Sequence, residues 1–252
     1  MKRNVFITGA SSGIGKAAAH SFAKNGDNLI LCARRKEKLD EIERDIKEKY
    51  GVEVHTYRLD VTIYENVVNT VKEIIKKSGK IDVLINNAGL ALGMEKFHEY
   101  SINDMEVMLN TNVKGLLYVT REVITNIVTE NSGHIINIGS TAGLYSYGNG
   151  AVYCATKAAV RFLSDGIRID VMDKNIKVTT VQPGIVETDF SEVRFHGDKK
   201  RAENVYKGIK ALTPEDIADT ILYAANQPEH VQISDITIMA TKQATGFNIH
   251  RE

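Results

Sequence analysis

The sequence predicts an α/β protein: one parallel sheet of about seven strands with helices packed on both faces. Short runs rich in apolar and β-branched residues alternate with longer stretches of helical character along the chain. That order is how strand–helix–strand crossovers build a parallel sheet. Several short runs, such as Leu29-Ile30-Leu31 and Val83-Leu84-Ile85, are continuously apolar rather than alternating, which fits strands buried on both faces. The first run also passes through a glycine-rich turn directly into a helix.

Strands are expected at 4–8, 28–33, 53–59, 83–86, 134–140, 177–182 and 235–239, and helices at 13–25, 36–50, 65–78, 102–129, 152–172 and 214–226. The last helix has the clearest start. Thr213 offers a capping hydroxyl, Pro214 suits the first helical position, and Glu215 and Asp216 face the positive end of the helix dipole. The 252 residues show no repeat, linker or low-complexity tract, so residues 1–252 read as one domain. Only 184–212 lacks a period, and it is dense in charge: Glu187, Asp189, Arg194, Asp198, Lys199, Lys200 and Arg201. A loop of that length following the carboxyl end of a strand is expected to be an active-site lid.

Composition narrows the function. Lys plus Arg total 32 and Asp plus Glu total 32, so no net field draws nucleic acid or an acidic membrane. No apolar run approaches the ~18 residues of a membrane span. The basic opening Met1-Lys2-Arg3 leads into an apolar stretch that stops at Thr8-Gly9. No signal-peptide core forms, and a cytoplasmic location is expected. Cys32 and Cys154 are far apart and read as small buried hydrophobes. The seven histidines form no H-E-x-x-H or Cys/His cluster, so no metal is expected.

The turn reads Gly9-Ala10-Ser11-Ser12-Gly13-Ile14-Gly15. Glycines let backbone approach a phosphate, and the helix that follows presents free N–H groups and a positive dipole end. Its spacing is G-x-x-x-G-x-G, not the commoner G-x-G-x-x-G, but its place between strand and helix points to a dinucleotide. The second strand ends in Arg34-Arg35, where the adenosine ribose is expected. An acid there would bind a 2′-hydroxyl; two guanidinium groups suit a 2′-phosphate, hence NADP. Asp60 and Val61, ending the third strand, are placed to meet the adenine amino group, or Asp60 caps the next helix. Tyr153 and Lys157 share one helical face, one turn apart. An ammonium within ~4–6 Å would favour the phenolate of a tyrosine whose unperturbed pKa is ~10.

The glycine turn, Asn86-Asn87-Ala88-Gly89, Asn112, Ser140 and Tyr153-x-x-x-Lys157, in that order, resemble the short-chain dehydrogenase/reductase family over essentially the whole chain. The resemblance implies a Rossmann-type, doubly wound sheet and an NADP-dependent oxidoreductase. It implies that Tyr153 is the catalytic acid/base and Ser140 holds the substrate oxygen. Lys157 would bind ribose and lower the Tyr153 pKa, and Asn112 would anchor a proton-relaying water. Asn87, Ala88 and Gly89 would join the cofactor site, with Pro183, Gly184, Ile185 and Thr188 contacting the nicotinamide carboxamide. Gln182 stands where many members carry Asn, a change expected to matter little.

The segments 89–95, 192–198 and 211–216 and the tail Asn248-Ile249-His250-Arg251 further resemble the NADP-dependent 3-hydroxy acid dehydrogenases. That implies a homotetramer acting on serine, L-allo-threonine, 3-hydroxyisobutyrate or 3-hydroxypropionate. So small a substrate must be recognised mainly through its carboxylate, and Arg194 in the lid is the best-matched partner. Alternatively, Arg194 pairs with Glu192 or Asp198 at the surface. His196 is the weaker reader, being mostly neutral at pH 7. Two other functions remain open. Lys199-Lys200-Arg201 could dock a carrier protein, giving a 3-oxoacyl carrier-protein reductase or another carbonyl reductase. A non-catalytic NADP-binding regulator would share the fold.

Overall fold

Every strand pairing is parallel, and all seven strands join one sheet in the order β3-β2-β1-β4-β5-β6-β7. They are β1 (Asn4–Thr8), β2 (Asn28–Ala33), β3 (Val54–Arg58), β4 (Val83–Asn86), β5 (Ser132–Ile138), β6 (Asn175–Pro183) and β7 (Asp235–Ile238). The computed structural model describes residues 2–252; Met1 lies outside the described residues. Chain order reverses between β1 and β4, and a crevice opens there beyond the carboxyl ends of the strands, where ligands bind in such sheets.

The helices are α1 (Gly13–Lys24), α2 (Lys36–Tyr50), α3 (Tyr64–Ser78), α4 (Ile102–Leu109), α5 (Leu116–Thr129), α6 (Ala151–Asp170), α7 (Phe190–Arg194), α8 (Lys199–Tyr206) and α9 (Pro214–Ala225). Successive strand side chains point to opposite faces, so each continuous apolar run feeds two cores. On one face Val5, Ile7, Leu29 and Leu31 pack with Phe22 of α1, Leu39 of α2 and Ile217 of α9. On the other, Phe6, Ile30 and Leu84 pack with Val71 of α3 and Val123 of α5. Each large side chain fully buried this way contributes ~1.5–3 kcal/mol. The apolar runs therefore carry both faces of the sheet.

Three expected elements differ. The helix expected over 102–129 is interrupted by a π-helical turn, Asn110–Gly115, a widening common at functional sites. The segment 184–212 is not a loop throughout, since it holds α7 and α8. Helices of five and eight residues are too short to show a hydrophobic period, yet the Asp198 side chain caps α8 by accepting from the Arg201 N–H at 3.0 Å. Strand β5 begins and ends earlier than expected, leaving Ser140 beyond it at the head of a short 3₁₀ turn, Thr141–Gly143. The start of α9 is as expected: Thr213 accepts from the Asp216 N–H at 3.3 Å, and the Asp216 carboxylate accepts from the Thr213 N–H at 2.8 Å. Among the described residues, no helix is long and apolar enough to cross a membrane.

Candidate active site

The glycine turn is fixed from β4. Thr8 Oγ1 accepts from the backbone N–H groups of Asn87 and Ala88, each at 3.1 Å. In return Asn87 Nδ2 donates to the carbonyls of Thr8 (3.0 Å) and Gly9 (3.1 Å). Gly9 and Gly13 take positive φ, +65° and +51°, which glycine adopts without penalty. A Cβ on Gly15 would sit 2.5 Å from both Asn87 Nδ2 and the Gly9 carbonyl, so only glycine lets the turn and helix pack this closely.

Around this turn lies a cavity of about 490 Å³. At one end Arg35 donates to Ser11 Oγ (3.0 Å) and Ser12 Oγ (2.9 Å), and Arg34 lines the wall beside it. A guanidinium, two hydroxyls and a helix N-terminus make a site for a phosphate. Asp60 and Val61 line the next section. Asp60 is not the cap of α3, which is Ile63; its carboxylate accepts from the Thr62 N–H (3.0 Å) and hydroxyl (2.7 Å) and holds the turn that shapes the wall.

Ala88, Gly89, Ser140, Tyr153 and Lys157 line the other end with Pro183, Gly184, Val186 and Thr188. Four expected residues, Gly15, Asn112, Ile185 and Arg194, do not line the wall. Ile185 spends its N–H on Gln243 Oε1 (2.9 Å) and its carbonyl on the Leu212 N–H (3.0 Å), so Val186, not Ile185, faces the cavity. Asn112, buried in the π turn, binds both backbone groups of Leu90, accepting at 2.8 Å and donating at 2.7 Å. It also donates to Thr156 Oγ1 at 3.1 Å. Its side chain holds Leu90 and α6 together.

Tyr153 is itself buried. Burial pushes its phenol well above the ordinary value, and Tyr147 adds to the rise. The Ser140 hydroxyl and the Arg194 charge pull the other way. The Lys157 ammonium donates to the Ile138 carbonyl at 2.8 Å, and burial brings it down to about 8. Arg194 does not pair with Glu192 or Asp198. Its Nε donates to the Gly93 carbonyl (3.1 Å) and its Nη1 to the Tyr147 hydroxyl (3.0 Å), while Nη2 is buried with no hydrogen-bond partner. The guanidinium carbon lies 5.7 Å from the Tyr153 ring centre. His196 is held by the Asp104 carboxylate at 3.1 Å. Both cysteines are buried and free, and no metal-binding group of side chains occurs among the described residues.

This sheet, turn and tyrosine–lysine pair define a short-chain dehydrogenase. The model of the short chain dehydrogenase family matches residues 3–199, and the chain belongs to that family. It is 43% identical over 251 residues to an NADP-dependent 3-hydroxy acid dehydrogenase of Schizosaccharomyces pombe, covering 99% of this chain and 97% of that one. It is 37% identical over the full length of both chains to a serine 3-dehydrogenase of Rhizobium radiobacter. Among solved structures, the closed form of a serine dehydrogenase complexed with NADP+ superposes with a TM-score of 0.92 at 41% identity, covering 99% of this chain and 100% of that one.

The buried ammonium has a measurable consequence. Lys157 titrates near 10.5 when unfolded and near 8 when folded. Between those values the unfolded chain holds the extra proton, so stability rises with pH. Lys157→Met should remove this contribution, flattening unfolding free energy against pH over that window by up to about 1.4 kcal/mol per pH unit. Urea titrations of both chains at several pH values check it. Parallel slopes would place the ammonium in water.

Proposed function

We propose that the chain catalyses the NADP-dependent, reversible oxidation of short 3-hydroxy acids to 3-oxo acids, with serine, L-allo-threonine, 3-hydroxyisobutyrate and 3-hydroxypropionate as its candidate substrates. The observation that carries this reading is Arg194. Two of its donors are anchored on Gly93 and Tyr147, and the third is buried and free beside Tyr153. An unpartnered buried guanidinium N–H is costly unless something accepts from it, and a substrate carboxylate is the matching acceptor. The curated relatives, named for 3-hydroxy acids and for serine, support the same substrate class.

The residues fit the cofactor. Arg34, Arg35, Ser11 and Ser12 would hold the 2′-phosphate, and Gly9 to Gly15 the pyrophosphate. Asp60 and Val61 would meet the adenine, Lys157 the ribose, and Val186 and Thr188 the carboxamide. NADP, when bound, supplies the hydride acceptor for oxidation. Ser140 would hold the substrate oxygen while Tyr153 takes the hydroxyl proton. Asn112 would keep Leu90 and α6 in register beneath them.

Residues 184–212 would act as the lid of a single catalytic domain. A homotetramer is supported by exposed apolar pairs one heptad apart, Ile102 and Leu109 on α4 and Phe162 and Ile169 on α6, the kind of surface that marks protein contacts.

Tyr153→Phe keeps the ring and removes the ionisable oxygen. It should leave NADPH binding intact while lowering kcat by ~10²–10⁴-fold; retention of more than about a tenth of wild-type turnover would move the acid/base elsewhere. Wild type should prefer NADP⁺ to NAD⁺ by at least about tenfold in kcat/KM, and replacing Arg34 and Arg35 should erase most of that preference. Equal use of NAD⁺ by the unmodified enzyme would sink the phosphate assignment. Arg194→Met should cost about ten- to a hundredfold in kcat/KM with L-allo-threonine or 3-hydroxyisobutyrate. An uncharged secondary alcohol of similar size should be affected far less. Equal losses on acid and alcohol would mean that Arg194 only holds the lid in place.

A further inference from the structure

Helix α8 carries a phenol that no step of the proposed reaction uses. Tyr206 Oη accepts from the Thr188 N–H at 3.4 Å and lies 3.2 Å and 3.3 Å from the carbonyls of Val186 and Thr188, which share its one proton. It is also 2.6 Å from Ser191 Oγ at the start of α7. One oxygen thus binds three backbone groups across Val186–Thr188, the stretch whose two ends face the nicotinamide part of the cavity.

The other side of that stretch is already fixed. The Glu187 N–H donates to the Leu212 carbonyl at 2.8 Å, and Ile185 is tied to Leu212 and Gln243. Gln243 can approach because residue 184 is glycine, where a Cβ would sit 2.2 Å from its Oε1. The same tail seats α8: Arg251 donates to the Val205 carbonyl at 3.0 Å, and the Glu252 N–H to the Gly208 carbonyl at 2.9 Å. The backbone of 185–188 is therefore held between a fixed wall and Tyr206, and Tyr206 is the side borne by the lid.

We infer that Tyr206 is a positioning residue: its hydroxyl holds Val186–Thr188 in the shape that receives the nicotinamide end of the cofactor, and the tail holds Tyr206 in place. The inference rests on the NADP reading above. It makes lid position and nicotinamide binding one equilibrium, since α8 cannot leave without releasing Val186 and Thr188. The adenosine end, at Arg35 and Ser11, stands outside that linkage.

The test is Tyr206→Phe, which removes one oxygen, read by the dissociation constants of NADPH (from its fluorescence) and of adenosine 2′,5′-bisphosphate, which reaches only the adenosine end. NADPH binding should weaken about three- to tenfold and the bisphosphate by less than about twofold. In turnover, KM for NADPH should rise more than kcat falls. Arg251→Ala, at an exposed residue, should shift the same ratio in the same direction by a smaller factor, and keeps the test valid should the Phe variant fold poorly. Equal weakening of both ligands, or no change in either, would overturn the inference. A wild-type chain that binds the bisphosphate but not NADPH would instead overturn the cofactor reading beneath it.

Discussion

The cavity exists because β1 and β4 are tied together at their carboxyl ends by Thr8 and Asn87. Four hydrogen bonds of 3.0–3.1 Å join them. In a sheet whose order reverses at this point, two neighbouring strands send their chains to opposite faces, and the tie sits where they part. The tie sets the height of the glycine turn, which sets the entry of α1. From that follow the place of its free N–H groups and the floor on which Arg35 meets Ser11 and Ser12. A short amide at 87 reaches two carbonyls at once because residue 15 has no side chain in its way. Sequence and cavity are linked through that contact.

Most of this was legible from residues alone because the signals are local. Strand runs buried on both faces announce themselves as unbroken hydrophobicity, and β1, β2 and β4 end where the sequence reading placed their ends. The site residues that depend on local order, Gly9, Ser11, Arg35, Ser140, Tyr153 and Lys157, all line one cavity. What escaped depends on contacts between distant segments. The π turn at Asn110–Gly115 is invisible in a hydrophobic period, because its center, Asn112, is bound to Leu90 and Thr156, neither nearby in sequence. That Val186 also lines the cavity was hidden for the same reason: Gln243 and Leu212 hold the backbone of Ile185 beside it. Helices α7 and α8 are too short for periodicity to register.

The chemistry of Tyr153 depends on the balance of burial and charge, and the charge comes from an unexpected place. Residues spaced one turn apart on a helix bring a lysine near a tyrosine, but the ammonium of Lys157 is turned toward the Ile138 carbonyl. The guanidinium acting on the phenol belongs to Arg194, at the end of α7. A carboxylate accepting from Arg194 would offset part of its pull on Tyr153. Under the proposed reading, the residue that recognises the substrate also helps set the proton affinity of the group that works on it. A charged 3-hydroxy acid and a neutral alcohol would then meet Tyr153 in different electrostatic states.

The wall of the cavity divides by mechanical origin. The half at Ser11, Ser12 and Arg35 is built on strand ends and the first helix, where backbone is held by the sheet and by the Thr8–Asn87 tie. The other half is built on segments that cross from elsewhere. Gly93 exchanges two hydrogen bonds with Arg194, its N–H to the Arg194 carbonyl at 2.9 Å and its carbonyl from Nε. Tyr206 and Gln243 hold 185–188 from opposite sides. Few apolar side chains are buried within α7 and α8, so polar contacts carry part of their attachment, and polar contacts are individually worth little beside core burial. Segments attached this way open at lower free energy than the sheet does. Under the proposed reading, a cofactor would lodge by its adenosine end in a preformed groove, while the half that would admit and release a small acid stays the less firmly held.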